Sequence, residues 1–329
     1  MDEALVVGGT RFIGRHTVEE LLAHDYRVTV FNRGEHANPF AERDGVHHYE
    51  GDRANDRELL TAKREVEPEV VVDCAAYHPR DVRKATEIFA DVGAYVYVSS
   101  GASYAADDVP KREGETPLRD CSADQAADDT DATYGNRKAE GDRMVFRAAE
   151  RGVNAMAVRP TVVYGPHDYT ERLDYWLHRV GTHDRVVVPG DGTNLWQRAY
   201  VEDVASALRI VAESGTPGEA YNVGDRNALT LADTVRAAAD ALDTDVELVR
   251  ASDRELSTAG LDLGSFPLYR PAPHLLDTHK LAALGWSSTP VGEAMARTAA
   301  DHRESDRTGT EHGPDRAAEE TVLSVLDTI

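Results

Sequence analysis

The chain has 329 residues, 41% of them hydrophobic, and a formal net charge of −23 from 36 Lys and Arg against 59 Asp and Glu. That length admits one large domain or two medium ones, and that apolar content excludes a disordered or low-complexity protein. So negative a surface repels nucleic acid and anionic membranes, and no apolar run approaches the roughly 20 residues that cross a bilayer. The run Ala4 to Val7 is too short for a secretory leader, so the expected location is the cytoplasm. Cys74 and Cys121 provide neither a disulfide framework nor metal-ligand spacing, and adjacent His47 and His48 in a strand would point to opposite faces, so no metal is expected. Only five residues are Lys (Lys63, Lys84, Lys111, Lys138 and Lys280). Dense carboxylates with few lysines fit a halophile's surface, which stays hydrated at high salt where screening cuts self-repulsion.

In chain order, β-branched runs predict strands at Glu3 to Val7, Arg27 to Asn32, Val46 to Glu50, Val70 to Cys74, Ala94 to Ser99 and Asn154 to Arg159. Helix-like segments fall at Ile13 to Ala23, Val82 to Asp91 and Tyr134 to Arg151. The alternation implies βαβ units, hence an α/β, Rossmann-like doubly wound parallel sheet. Asp107 to Asp131 is acidic and reads as a surface loop. Beyond Arg159 turn-rich stretches interleave with helical patterns at Val204 to Glu213, Leu231 to Leu242 and His279 to Leu284, the mark of a smaller α/β lobe. We expect a dinucleotide domain over 1–165, with a segment near 186–225 returning to it. A substrate lobe is expected over 166–300, and a polar tail with a short helix over 301–329.

Directly after the first strand stand Gly8, Gly9, Thr10, Arg11, Phe12, Ile13 and Gly14, followed by a helix. Glycines let the backbone approach a pyrophosphate, and the unpaired N–H groups and dipole of the helix start favour an anion there. The second strand ends at Asn32 and Arg33 with no carboxylate to hold the ribose hydroxyls of NAD. Arg33 and Arg11 could instead neutralise a ribose phosphate, which favours NADP over NAD, although either could be a solvated surface Arg. Asp52, closing the third strand, is an acceptor for an adenine amino group or a turn Asp beside Gly51.

Tyr134 and Lys138 lie four apart, on one helix face, where an ammonium beside a phenol stabilises the phenolate. Ser99 and Ser100 close the fifth strand, at the end of a doubly wound sheet that faces ligand. Together they predict an acid/base centre with a hydroxyl to hold the substrate oxygen.

These landmarks resemble the extended short-chain dehydrogenase/reductases, the NAD-dependent epimerase/dehydratase group acting on sugar nucleotides. The likeness runs to about Ala300. It rests on the GGTRFIG turn, Asp73 to Ala76, Val98 to Ser100, Tyr134 with Lys138, Arg159 and Pro160 to Pro166, Tyr200 to Ala205, Tyr221 to Gly224, and Asp277 to Trp286. The resemblance implies Tyr134 as acid/base, Lys138 as its partner and a nicotinamide-ribose ligand, and Ser100 as the substrate hydroxyl, with Ser99 the competing choice. It also implies Ala75, Ala76 and Pro160 beside the cofactor. His167, Arg198 and Arg270 are the candidate substrate contacts, and a homodimer is the usual assembly. Two departures stand out. Arg11 replaces the middle glycine of the fingerprint, a sub-pattern similar to the branch containing the chloroplast stem-loop-binding proteins. Trp196 stands where sugar-nucleotide enzymes carry a diphosphate-binding Arg, with Arg198 two residues on. The expected activity is hydride transfer between a nicotinamide and a hydroxyl-bearing carbon of a small molecule, as an epimerase or a reductase. A non-catalytic RNA-binding relative is the alternative, which the charge disfavours.

Overall fold

The structure is a computed structural model that describes residues 2–328. In chain order the elements are β1 (Glu3–Val7), α1 (Phe12–Ala23), β2 (Arg27–Asn32), β3 (Val46–Glu50), α2 (Asp56–Val66), β4 (Val70–Asp73), α3 (Pro79–Ile88), β5 (Ala94–Val98), α4 (Ala123–Ala127), α5 (Tyr134–Glu150), β6 (Ala155–Pro160) and β7 (Val162–Tyr164). There follow α6 (Arg172–Thr182), β8 (Arg185–Pro189), β9 (Arg198–Tyr200), α7 (Val201–Ser214), β10 (Ala220–Val223), α8 (Leu231–Leu242), β11 (Glu247–Ala251), α9 (Asp253–Leu256), α10 (His279–Ala282), α11 (Val291–Arg303) and α12 (Arg316–Leu326). All six predicted strands are present, within a residue at either end.

The chain forms two compact units, the first made of residues 1–163, 201–224 and 276–288, the second of 164–200, 225–275 and 289–329. The first unit carries a seven-stranded sheet in the order β10-β6-β5-β4-β1-β2-β3, with every neighbouring pair parallel. Strand order reverses between β1 and β4, so the loops leaving these two strands define the switch point where ligands of such sheets bind. Helices cover both faces of a parallel sheet, which is why β4 and β5 are apolar almost throughout and buried at every residue. On one face Leu5, Val71, Tyr95 and Ala157 meet Val82, Phe89, Val145 and Ala148 from α3, α5 and their flanks. Each such aliphatic side chain contributes roughly 1.5–3 kcal/mol by leaving water.

Two elements of this unit differ from the sequence reading. The segment around Tyr221, not among the six predicted strands, is strand β10, paired to β6 from Ala220 opposite Ala157 to Val223 opposite Pro160. Helix α2 has only Leu59 and Ala62 buried, too few for an apolar stripe, and is defined by its ends: Asn55 caps Arg57 N–H, with Asp56 and Glu58 in the first turn and Lys63 and Arg64 in the last.

In the second unit β8 pairs in parallel with β11, and α6 and α11 pack on α8. Residues 186–200, expected to return to the first domain, belong to this unit, whereas 276–288 belong to the first. Nor is the segment after 301 an appended tail. Helix α12 buries Val322, Leu323 and the carboxylate of Glu319, which accepts from Arg179 Nε at 2.6 Å and from the Tyr175 hydroxyl at 2.7 Å. Polar composition concealed this because the buried group is itself charged and compensated by a guanidinium.

Candidate active site

The turn after β1 is built for close backbone approach. Gly8 has φ of +87°, and a Cβ there would lie 3.1 Å from the Ala75 side chain. A Cβ on Gly14 would lie 2.1 Å from the Gly8 carbonyl oxygen, so only glycine lets α1 start here. Arg11 is the N-cap in extended conformation, and its side chain does not cap the helix. Phe12, buried at the first helical position, has φ of +29°, a strained value for a bulky residue. The opening N–H groups of α1 together with this glycine cradle fit a pyrophosphate.

At the end of β2, Asn32 ties three elements together: its amide donates to Thr10 Oγ1 at 3.2 Å, and its oxygen accepts from Gly34 N–H at 2.8 Å and pairs with His48 Nε2 at 2.9 Å. Arg33 is exposed and pairs with Glu35 at 2.9 Å. Arg11 Nη1 lies 3.3 Å from His36 Nε2. His36 escaped the sequence reading because nothing in its spacing marks it, and His48 was weighed there only as a metal ligand. Asp52 is exposed and its carboxylate accepts from Ala54 N–H at 2.9 Å, the turn reading of the two open for it. Ala75 N–H bonds the Asp73 carboxylate at 3.1 Å, Ala76 is buried, and Pro160 closes β6.

Helix α5 opens at Tyr134, half-buried, and carries Lys138 into the interior at 3% exposure. The Lys138 ammonium donates to Ala76 O at 2.9 Å and Val98 O at 2.8 Å. It stands 5.7 Å from the Tyr134 ring centre, 4.9 Å from that of Tyr97 and 5.2 Å from that of Tyr77. Burial pushes its pKa down to about 8, against the pull of Asp73 and Asp142. Two of its three N–H bonds are committed to carbonyls, leaving one for a phenolate or a ligand hydroxyl.

Ser100 is half-buried and caps a short 3-10 turn, its Oγ accepting from Ala102 N–H at 3.1 Å. Ser99 Oγ is buried without a hydrogen-bond partner among the described residues. Both hydroxyls and both α5 residues lie in the first unit. The acidic loop from Ala105 leads into this site: Arg119 bonds Ala102 O at 3.0 Å, and Asn136 donates to Asp120 O.

Three candidates lie in the second unit. Arg198, expected near substrate, is buried, with its Nη2 donating to Leu229 O at 3.1 Å and to Thr234 Oγ1, and burial pushes its pKa down to about 10. The two-residue period put it on the face of Trp196, but the guanidinium is taken up by the loop and helix around Thr230. Arg270 stacks 5.6 Å above the Trp196 ring. His167 has φ of +63° and holds Asp301, through N–H at 2.9 Å and through Nδ1 at 3.1 Å.

Sequence reasoning missed two buried ion pairs beside Lys138. Arg53 binds Asp73 and Asp81, and Tyr95 donates to Asp73 at 3.0 Å. Arg159 binds Asp142 at 2.9 Å. Arg159, a charge inside an apolar run, was the legible signal for the second.

A doubly wound sheet with a glycine cradle at its switch point and a Tyr-Lys pair beside two strand-end serines defines a nicotinamide-dependent α/β protein. Residues 4–224 match the NAD dependent epimerase/dehydratase family, and the chain belongs to that enzyme family. Among curated proteins it is 27% identical over 250 residues to the chloroplast stem-loop binding protein of 41 kDa b of Arabidopsis thaliana, covering 72% of this chain and 62% of that one, less than two thirds of its length. It is 27% identical over 318 residues to the low-salt glycan biosynthesis protein Agl12 of Haloferax volcanii, covering 86% of this chain and 93% of that one. Among solved structures, dTDP-glucose 4,6-dehydratase from Bacillus anthracis in complex with NAD superposes with a TM-score of 0.73 at 20% identity, covering 95% and 99% of the two chains. Among the described residues no helix is long and apolar enough to cross a membrane.

Proposed function

We propose that the protein transfers hydride at a hydroxyl-bearing carbon of a sugar nucleotide or related small molecule, as an epimerase or reductase. The carrying observation is the Lys138 ammonium, buried within 5.7 Å of the Tyr134 ring in the unit that holds the glycine cradle. A bound nicotinamide would supply the hydride acceptor or donor. The cradle from Gly8 to Gly14 would hold its pyrophosphate, and Lys138 would use its third N–H on the ribose. Tyr134 Oη takes the proton from the substrate hydroxyl, or returns it in the reverse direction. Lys138 stabilises the phenolate that accepts this proton, and Ser100 Oγ positions the substrate oxygen. Gly101 and Ala102 supply no further acid or base beside Ser100, which ranks a dehydratase below the other two.

NADP stands ahead of NAD in this reading. Asn32 replaces the ribose-binding acid, and Arg11, Arg33, His36 and His48 gather at the same edge. Glu50, opposite Asn32 in register, is the acid that would serve NAD instead. Titration with both coenzymes decides this. NADPH binding at least tenfold tighter than NADH, lost in Arg11→Ala/Arg33→Ala, is expected; equal affinities would return the preference to NAD.

Tyr134→Phe is expected to lower kcat by about 10²–10⁴-fold with cofactor binding intact. Full turnover in that variant removes the acid/base. Analysis of the purified protein separates the two activities: retained cofactor supports an epimerase, and an empty site that binds reversibly supports a reductase. The stem-loop-binding relative gives the RNA reading one test, in which salt-resistant, cofactor-independent RNA binding without turnover would favour it.

A further inference from the structure

Lys138 enters an environment that disfavours its charge. It is 3% exposed, ringed by the phenols of Tyr77, Tyr97 and Tyr134, and among the described residues it donates to two backbone carbonyls. Two carboxylates act on it, from different elements. Asp73 closes β4, and Asp142 lies one helical turn beyond Lys138 on α5, four residues on and so on the same face. Each is clamped by a guanidinium: Asp73 by Arg53, with the Tyr95 hydroxyl also donating to it, and Asp142 by Arg159, which in turn donates to Tyr104 Oη.

The two clamps are not equivalent. The Asp73 carboxylate is fully engaged, with Arg53 and Tyr95 on Oδ2 and Ala75 N–H on Oδ1. Asp142 is wholly buried, and only its Oδ2 is used, by Arg159 Nε at 2.9 Å; its Oδ1 has no hydrogen-bond partner among the described residues. A carboxylate so placed costs free energy that its one partner only in part offsets. Gly141 explains how it comes so near. A Cβ at that position would lie 2.6 Å from the Tyr97 hydroxyl, so glycine seats α5 directly on β5 and brings the Lys138 and Asp142 face against the Tyr97 ring.

We propose that Asp142, fixed by Arg159, is a positioning residue that supplies the counter-charge holding Lys138 as an ammonium beside Tyr134. The inference rests on the reading of Tyr134 and Lys138 given above. The groups facing Lys138 are Asp73 and Cys74 from β4 and its loop, Tyr77 beyond that loop, Tyr97 from β5, and Tyr134, Arg137 and Asp142 from α5. Of these only the two aspartates favour the charged form strongly. Arg137, one residue before Lys138, opposes it, and burial raises the Cys74 thiol to about 12, keeping it neutral. Removing the negative charge of Asp142 therefore deprotonates Lys138 at lower pH. Removing the positive charge of Arg159 leaves Asp142 uncompensated and does the opposite.

Titration of the Lys138 side chain by NMR of the 13C-lysine-labelled protein tests this without substrate or cofactor. With five lysines in the chain, Lys138→Arg assigns the signal. Wild type is expected to titrate near 8. Asp142→Asn, which keeps the shape and can still accept from Arg159, is expected to move the midpoint down by about one pH unit, a tenfold change in protonation. Arg159→Gln should move it up, and the double variant should return it toward wild type. The alkaline limb of kcat should move in the same directions. A midpoint unmoved in folded Asp142→Asn overturns the proposal. Should either single variant fail to fold, the charge-free double variant carries the test against Asp142→Glu, which retains the wild-type midpoint if charge is what matters. Midpoints that shift as stated while Tyr134→Phe keeps full turnover would leave this inference standing and remove the catalytic reading instead.

Discussion

Lys138 is where activity and stability pull apart. Burial pushes its pKa from the ordinary lysine value of 10.5 down to about 8. Below about pH 8 both states are protonated, and the fold carries the full cost of burying the ammonium. Between about 8 and 10.5 the unfolded chain holds a proton that the folded chain lacks, so stability rises with pH through that window. Urea unfolding of wild type against Lys138→Met should show wild type gaining up to about 3 kcal/mol on the variant between pH 7 and 10.5. A difference independent of pH would mean that the ammonium is not desolvated as described. Ser99 offers a second reading at this scale. Its orphaned hydroxyl costs about 1–3 kcal/mol if nothing binds it, so Ser99→Ala should stabilise the fold, and a substrate affinity unchanged in that variant leaves Ser100 as the substrate hydroxyl.

At the scale of elements, α1 and α5 carry the site and fail differently. Gly14→Ala places a methyl group 2.1 Å from a carbonyl oxygen. The start of α1 must then shift, with loss of coenzyme binding in a fluorescence titration and a destabilisation of a few kcal/mol; an unchanged affinity would show that the cradle does not hold the pyrophosphate. Five of the six predicted strands and the Tyr134 helix were legible because a sheet buried on both faces demands apolar runs, and because Tyr and Lys four apart share a helix face; edge strand β3, VHHYE, is largely exposed. What stayed hidden has physical reasons too. Helix α2 buries only Leu59 and Ala62, so its caps, not its periodicity, define it. Strand β10 carries Asn222, whose side chain bonds Tyr104 and the carbonyls of Lys111 and Asp277, contacts that no local pattern encodes. The two-residue period of a strand could pair Arg198 with Trp196 but could not tell which partners were waiting at Thr234. Asp142 was readable in hindsight from its place one turn past Lys138.

Over the whole molecule, a net charge of −23 makes the compact state repel itself at low salt. Raising KCl from about 0.1 to 1 M shortens the screening length from roughly 10 to 3 Å, and the melting temperature is expected to rise. A flat or falling Tm would show that the screening of the ion pairs outweighs the relief of repulsion. The buried pair of Arg179 and Glu319 ties α12 into the second unit, and Glu319→Gln, which leaves a guanidinium uncompensated, should cost about 3–5 kcal/mol by thermal unfolding.

The interleaved chain also constrains biosynthesis. Strand β10 at residues 220–223 and the segment through 288 complete the first unit, and residues 316–326 complete the second. A nascent polypeptide halted near residue 165 on the ribosome therefore lacks an outer strand of its sheet, and the two units are completed only once residues 288 and 326 have emerged.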